Sequence, residues 1–148
     1  MTWEKMQRPK DILLVEDKPG DVLLAQEAIL DAKVRANLHV VGDGVEAMAF
    51  LRRQGKYPDA MRPDLIMLDL TMPKKDGFEV LAEIKADAGL KNIPVIIFSV
   101  SKSEDDIRHA YDLQANCYIA KPVDLNGLIV VIKAIDDFWL TAATIPEK

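Results

Sequence analysis

Short runs of apolar, largely β-branched residues alternate along the chain with longer stretches in which apolar residues recur at helical spacing. The short runs predict strands and the longer stretches predict helices. The predicted strands are Ile12–Val15, Leu38–Val41, Leu65–Leu68, Val95–Phe98 and Cys117–Ile119. The predicted helices are Asp21–Ala32, Val45–Gln54, Phe78–Lys85, Glu104–Leu113 and Leu125 to about Leu140.

Five βα units in succession are typical of a parallel sheet with helices on both faces. Most of the predicted strands are continuously apolar, as strands covered on both sides should be. The pattern therefore predicts a doubly wound (βα)5 sandwich, and analogy with flavodoxin-like folds gives the strand order 2-1-3-4-5. Ser103 and Asp124 are predicted to cap the fourth and fifth helices.

The chain has 148 residues, which predicts one domain over residues 1–148 with its core at about 10–140, a short N-terminal arm and a C-terminal tail, and no output domain. A net charge of −5 disfavours partners such as nucleic acid or anionic membrane. The chain lacks both a signal-peptide pattern and an apolar stretch long enough to span a membrane. The single Cys117 suits a reducing compartment, so a cytoplasmic location is expected.

Polar side chains that could bind a ligand or take part in catalysis follow four of the predicted strands. Glu16 and Asp17 follow the first strand, Asp69 the third and Ser99 the fourth, and Lys121 lies just beyond the fifth. The carboxyl ends of parallel strands meet at one edge of the sheet, where ligands bind beside the reversal of strand order. We therefore expect these side chains to converge.

Three converging carboxylates need compensation, because two of them about 4 Å apart repel by about 4 kcal/mol at an effective dielectric of about 20. Oxygen ligands without nearby His or Cys favour Mg²⁺, or the similar Mn²⁺. With a hydroxyl and an ammonium, such a site fits phosphoryl transfer. Asp69 would attack phosphorus, the metal and Lys121 would neutralise phosphoryl oxygens, and Ser99 would donate a hydrogen bond to the new group.

The motifs in this order resemble the receiver domain of two-component response regulators, the CheY-like family. They are Leu14–Asp17, Leu68–Pro73, Asp76-Gly77, Ser99 and Lys121-Pro122. Within that family the chain looks most similar to the small stand-alone regulators paired with bacterial and cyanobacterial phytochrome histidine kinases. The segments that carry this narrower resemblance are Asp43–Ala47, Arg62–Asp64, Pro73–Gly77, Asn116–Leu125 and Asp137–Leu140.

The resemblance implies a single-domain response regulator whose Asp69 accepts a phosphoryl group from a histidine kinase. It implies no enzyme activity beyond self-phosphorylation and self-dephosphorylation. It also assigns roles to the other motif residues. Glu16, Asp17, Asp69 and the backbone carbonyl of Thr71 bind the metal, Ser99 and Tyr118 act as the switch pair, Lys121 contacts the phosphoryl group, and the Lys121–Pro122 peptide bond is cis.

One position departs from the family pattern, because Val100 stands where a small residue usually follows the switch hydroxyl. We expect this side chain to narrow access to Asp69, which would slow phosphorylation by small donors and slow loss of the phosphoryl group. A degenerate receiver that acts as a phosphorylation-independent scaffold is the alternative.

The sequence fits two other α/β protein classes poorly, the flavodoxins and the phosphatases of the haloacid dehalogenase type. Glu16-Asp17-Lys18 would repel a flavin phosphate, and Thr71 stands where a phosphatase of the haloacid dehalogenase type needs a second Asp.

The fifth predicted helix is apolar around more of its circumference than one buried stripe requires. Either the helix is deeply packed, or its second face forms a homodimer contact with Tyr118 and part of the fourth helix. Tyr118, Val131 and Phe138 are the candidate contact residues.

Overall fold

Strand and helix alternate through the computed structural model, which describes residues 8–146. The elements are β1 (Lys10–Val15), α1 (Pro19–Asp31), β2 (Ala36–Val41), α2 (Gly44–Arg52), β3 (Leu65–Leu68), α3 (Gly77–Ala86), β4 (Val95–Ser99), α4 (Glu104–Asp112), β5 (Cys117–Ala120) and α5 (Leu125–Ile135). All strand pairs are parallel, in the order β2-β1-β3-β4-β5. The predicted fold class and strand order are confirmed.

The central strands are buried on both faces because successive side chains point to opposite sides of the sheet. Leu13, Ile66 and Ile97 face a core formed with α2, α3 and α4. Their neighbours Leu14, Met67 and others face a second core formed with α1 and α5. Two separate apolar layers therefore hold β1, β3 and β4 in place, and the polar residues that follow these strands are held with them.

Side-chain caps begin most of the helices. Ser103 accepts a hydrogen bond from the backbone N–H of Asp106 at 3.3 Å, and Asp124 accepts one from that of Gly127 at 2.8 Å. Both predicted caps are therefore confirmed. Asp76 and Glu79 form a reciprocal capping box at the start of α3. Helix α1 has no side-chain cap and begins with Pro19 in its first turn, two residues earlier than predicted.

The end of the fifth helix differs from the prediction of one helix to about Leu140. Regular α-helix ends at Ile135, and residues Asp136–Ala142 continue as a wider π-helical segment. At its end the N–H of Ala143, the residue after the segment, bonds to the carbonyl of Phe138 at 2.7 Å, five residues back. Leu140 remains buried in the core beside α1 and α5.

The ends of the predicted single domain fall partly outside the described residues. Residues 1–7 of the predicted N-terminal arm and 147–148 of the predicted tail lie there. Between them, no helix is both long and apolar enough to cross a membrane.

The predicted cis bond between Lys121 and Pro122 is wrong for this structure, since no peptide bond within residues 8–146 is cis. The trans form is the ordinary state of a bond before proline and is lower in energy by about 0.5–1 kcal/mol. The cis prediction came from family resemblance alone, without a local sequence signal.

Gly77 is required by close packing against the end of β3, which leads to a stability prediction. A Cβ atom at this position would lie 2.2 Å from the carbonyl oxygen of Asp69 and 2.6 Å from the Cα of Leu70. These are backbone atoms that cannot move without disturbing the sheet edge. We expect Gly77→Ala to lower the free energy of unfolding by about 1–3 kcal/mol, measured by urea denaturation.

The matched control is Gly20→Ala in the first turn of α1, where an added Cβ meets nothing within 4 Å. This variant should unfold at the same urea concentration as the parent or a slightly higher one, because alanine restricts the unfolded chain. Equal stability of the two variants would contradict the packing argument.

Candidate functional site

Backbone hydrogen bonds extend the sheet just past the strand ends and position the candidate residues. The N–H of Asp69, after β3, bonds to the carbonyl of Val15 at 3.1 Å. The N–H of Lys121, after β5, bonds to the carbonyl of Ser99 at 2.8 Å. Since β1, β3, β4 and β5 are neighbours in the sheet, the predicted site residues lie along one edge.

The three predicted carboxylates meet at this edge. Glu16, Asp17 and Asp69 each offer an oxygen, and these oxygens all lie within 4.8 Å of one another. Glu16 and Asp69 are each 3% exposed, whereas Asp17 is open to solvent. The convergence expected from the strand ends therefore occurs, with one side of the cluster accessible from outside.

The Oδ2 atom of Asp69 is buried and accepts no hydrogen bond from any residue in the described range 8–146. Leaving a buried carboxylate oxygen without a partner is unfavourable, because the oxygen has lost its water. A divalent cation held among the three carboxylates would offset this cost by neutralising their charge, and an all-oxygen donor set suits Mg²⁺ or Mn²⁺. The residues present therefore fit the predicted metal.

Lys121 brings the positive charge of the site. Its side chain is 7% exposed, and its Nζ atom donates hydrogen bonds to Glu16 Oε1 and, at 3.0 Å, to Asp21 Oδ2. The same Nζ lies 3.5 Å from Asp69 Oδ2. Asp21, in the first turn of α1, was not among the predicted site residues. The sequence feature that could have indicated Asp21 is its position four residues after Asp17, at the start of a predicted helix.

Burial and charge shift two pKa values in this cluster. Burial raises the pKa of Glu16, and the neighbouring Asp69 charge raises it further, while the hydrogen bond from Lys121 opposes the rise. Burial acts to lower the pKa of Lys121, but its hydrogen bonds to Glu16 and Asp21 and the charge of Asp69 outweigh burial, so the pKa of Lys121 is raised. Lys121 therefore remains a cation at neutral pH.

The two predicted switch residues, Ser99 and Tyr118, both reach Ser101 in the loop between β4 and α4. Ser99 is buried, and its Oγ atom accepts a hydrogen bond from the backbone N–H of Ser101 at 3.2 Å. The half-buried Tyr118 donates its hydroxyl to the carbonyl of Ser101 at 2.9 Å. One loop residue thus connects the hydroxyl at the site with the aromatic side chain on the outer strand.

The remaining predicted residues lie around the site or away from it. Thr71 is exposed in the loop between β3 and α3, and the role of its carbonyl stays a prediction. Val100 is 64% exposed immediately after Ser99. Among the dimer candidates, Val131 on α5 is partly buried against the α1 and α5 core, whereas Phe138 in the π-helical segment is 57% exposed.

The chain is similar to known proteins over nearly all of its length. The response regulator receiver domain profile matches residues 12–133. The response regulator Rcp1 of Synechocystis sp. is 47% identical over 138 residues, covering 93% of this chain and 94% of that protein.

Two solved structures support this relationship. The phosphorylated cyanobacterial phytochrome response regulator RcpA is 54% identical with a TM-score of 0.88, over 94% of this chain and 99% of that one. The Mn²⁺-bound form of Rcp1 is 47% identical with a TM-score of 0.85, over 94% and 100% of the two chains. With its carboxylates, hydroxyl and lysine gathered at one sheet edge, this chain belongs to the response regulator receiver domain family.

Proposed function

We propose that the chain is a single-domain response regulator that accepts a phosphoryl group on Asp69 from a histidine kinase and changes its protein contacts in response. The observation that carries the proposal is the buried, unpartnered Oδ2 atom of Asp69. Asp69 belongs to a group of three carboxylates that fits a divalent cation, and its Oδ2 lies 3.5 Å from the buried ammonium of Lys121. A nucleophile, a cation site and a fixed positive charge are the parts that phosphoryl transfer requires.

In the proposed transfer, a carboxylate oxygen of Asp69 attacks phosphorus of the kinase phosphohistidine. The new O–P bond forms as the N–P bond breaks, and the imidazole nitrogen leaves with the electron pair and takes a proton from solvent. Lys121 pairs with one phosphoryl oxygen, and the hydroxyl of Ser99 donates to another. Tyr118 responds through Ser101, to which both switch residues are hydrogen-bonded.

The metal in this proposal is Mg²⁺ or Mn²⁺, held by Glu16, Asp17, Asp69 and the carbonyl of Thr71. When bound, such a cation neutralises charge on the phosphoryl oxygens. The donor set of the three carboxylates and the Mn²⁺ in the structure of the relative Rcp1 support this assignment.

The phosphoryl group is lost by hydrolysis: water attacks phosphorus, the O–P bond to Asp69 breaks, and inorganic phosphate is released while the Asp69 carboxylate is regenerated. The protein acts on its own phosphoryl group and turns over no separate substrate. We place it in the cytoplasm, where ATP supplies the kinase and where a lone cysteine such as Cys117 stays reduced. Its acidic charge also argues against nucleic acid or an anionic membrane as a partner.

We assign the donor to the phytochrome class of histidine kinases. RcpA is a phytochrome response regulator, and the response regulator RPA3017 of R. palustris, 29% identical with a TM-score of 0.90, acts in red light signalling. The scaffold alternative is disfavoured, because the site keeps three carboxylates and the ammonium of Lys121 close together. A receiver that served only as a scaffold would not need them assembled.

The second protein partner in the proposal is another copy of the same chain. Phe138 and Val130 are 57% and 68% exposed on the fifth helix and the π-helical segment that follows it. Tyr118 lies on β5, the edge strand next to this helix, and Val131 is partly covered by the core. Contiguous patches of exposed apolar side chains are typical of contact surfaces, and the proposal takes these residues as one such patch.

The first prediction concerns the phosphoacceptor. Asp69→Asn should abolish labelling by a phytochrome-class kinase or by acetyl phosphate with Mg²⁺, because an amide oxygen is a far weaker nucleophile than a carboxylate. Intact-protein mass spectrometry and hydroxylamine sensitivity measure the label. The control, Asp76→Asn, alters an exposed capping carboxylate on the neighbouring loop and should label normally. Undiminished, acid-stable label on Asp69→Asn would refute the mechanism.

The second prediction concerns Val100, the exposed side chain beside Ser99. We expect Val100→Ala to accelerate phosphorylation by acetyl phosphate, loss of the phosphoryl group, or both, since the smaller side chain opens access to Asp69. Stopped-flow labelling and phosphate release measure the two rates. Unchanged values for both would remove the role assigned to Val100.

The third prediction concerns the dimer. Sedimentation at tens of micromolar should detect a dimer of the parent chain, with or without a phosphoryl mimic. Phe138→Ser should raise its dissociation constant by about tenfold or more, because an exposed aromatic contact is lost. The control Met61→Ser removes a 40% exposed side chain from the α2–β3 loop and should leave the dimer intact. A monomeric parent chain would contradict the proposed contact.

A further inference from the structure

Asp21 supplies a third carboxylate to the ammonium of Lys121, in addition to Glu16 and Asp69. Its Oδ2 atom lies 3.0 Å from Lys121 Nζ, and its side chain is 34% exposed, compared with 2% for Glu16. Asp21 is outside the cluster whose oxygens could share one metal ion. It therefore contacts the lysine from the solvent side without being part of the proposed metal site.

The ammonium of Lys121 interacts unequally with its three neighbouring carboxylates. It donates to Glu16 and to Asp21, whereas Asp69 Oδ2 lies 3.5 Å away and has no hydrogen-bond partner in the part of the chain that the structure describes. An ammonium group has three N–H donors, so a bond to Asp69 is chemically available. The observed arrangement keeps the lysine close to Asp69 without forming that bond.

Glu16 and Asp21 both compete with Asp69 for the ammonium, and of these two only Asp21 lies outside the proposed metal site. Lys121 and Asp69 are both buried and oppositely charged, so their attraction favours a shorter distance. Asp21 lies in the first turn of α1, and α1 is anchored in the core by Ala25, Ala28 and Ile29. Its carboxylate is therefore held by an element separate from β3, which carries Asp69.

We propose that Asp21 is a positioning residue for phosphoryl transfer. By holding Lys121 Nζ away from Asp69 Oδ2, it leaves that oxygen free to attack phosphorus and keeps the ammonium where a phosphoryl oxygen arrives. This inference rests on the proposed function, since the role of the free oxygen is to react. Without Asp21, Lys121 closes on Asp69 and occupies the oxygen that must react.

Loss of Asp21 should change the rate of labelling in the opposite direction from a purely electrostatic effect. Removing one negative charge near the site lowers its repulsion of an anionic donor, which by itself would speed labelling by acetyl phosphate. Loss of positioning has the opposite effect, because a salt bridge to Lys121 weakens Asp69 as a nucleophile. Whether labelling becomes slower or faster therefore distinguishes loss of positioning from loss of electrostatic repulsion.

The test compares Asp21→Ala with the parent chain at saturating Mg²⁺, following acetyl phosphate labelling of Asp69. We expect labelling to slow by about five- to tenfold, in keeping with a modest misplacement of a catalytic group. Glu27→Ala is the matched control, since it removes an exposed carboxylate from the same helix and should label within about twofold of the parent. Asp21→Glu, which restores the charge, should recover much of the rate.

A second measurement does not depend on activity. A crystal structure of metal-free Asp21→Ala should show Lys121 Nζ within about 3 Å of Asp69 Oδ2, the distance of an ordinary hydrogen bond. Labelling that is equal or faster, or a separation that stays at the parent value of 3.5 Å, would overturn the role of Asp21. If the parent chain takes no label, the proposed function fails and the catalytic role of Asp21 fails with it, and the structural measurement then decides only whether Asp21 holds Lys121 away from Asp69.

Discussion

The buried ammonium of Lys121 is the interaction on which the site depends. It is almost inaccessible to water and lies among the carboxylates of Glu16, Asp21 and Asp69. Without this cation the carboxylates would repel one another, and burial, which already raises the pKa of Glu16, would act on it without an opposing hydrogen bond. Its raised pKa shows that the attraction exceeds the penalty of burying the charge. Within the described residues 8–146, this one ammonium contacts three carboxylates, so the cluster is short of positive charge, which favours a divalent metal.

The two apolar layers on either side of the sheet explain why the cluster can be held together. Ile66 and Met67 on β3 face opposite cores, and both are fully buried, so the strand that carries Asp69 cannot slide or tilt freely. Tight backbone contact continues past the strand, where Gly77 packs directly on the carbonyl of Asp69. The carboxylates therefore stay close because apolar packing on both faces resists their mutual repulsion.

The loop after β4 connects the candidate site, at the carboxyl ends of the strands, with the outer strand β5. Ser101 donates its backbone N–H to Ser99 and accepts the hydroxyl of Tyr118 through its carbonyl. Its own hydroxyl donates to Asp106 at 2.6 Å, in the first turn of α4. A change in the hydrogen bonding of Ser99 thus has a short covalent and hydrogen-bonded route to the α4 and β5 surface, next to the helix proposed to contact a second copy.

The alternation of short apolar runs with stretches of helical period was enough to predict the parallel sheet, because continuously apolar strands must be covered on both faces. Since the carboxyl ends of parallel strands share one edge of the sheet, the same pattern also placed four polar residues at that edge, namely Glu16, Asp69, Ser99 and Lys121. The contact between Asp21 and Lys121, the π-helical segment after Ile135 and the trans bond before Pro122 were decided only by the tertiary structure. Each depends on contacts or backbone geometry that packing settles, and residue spacing does not encode them. Local periodicity specifies which face of an element is buried, whereas the distance from Lys121 to each neighbouring carboxylate depends on how separate elements pack together.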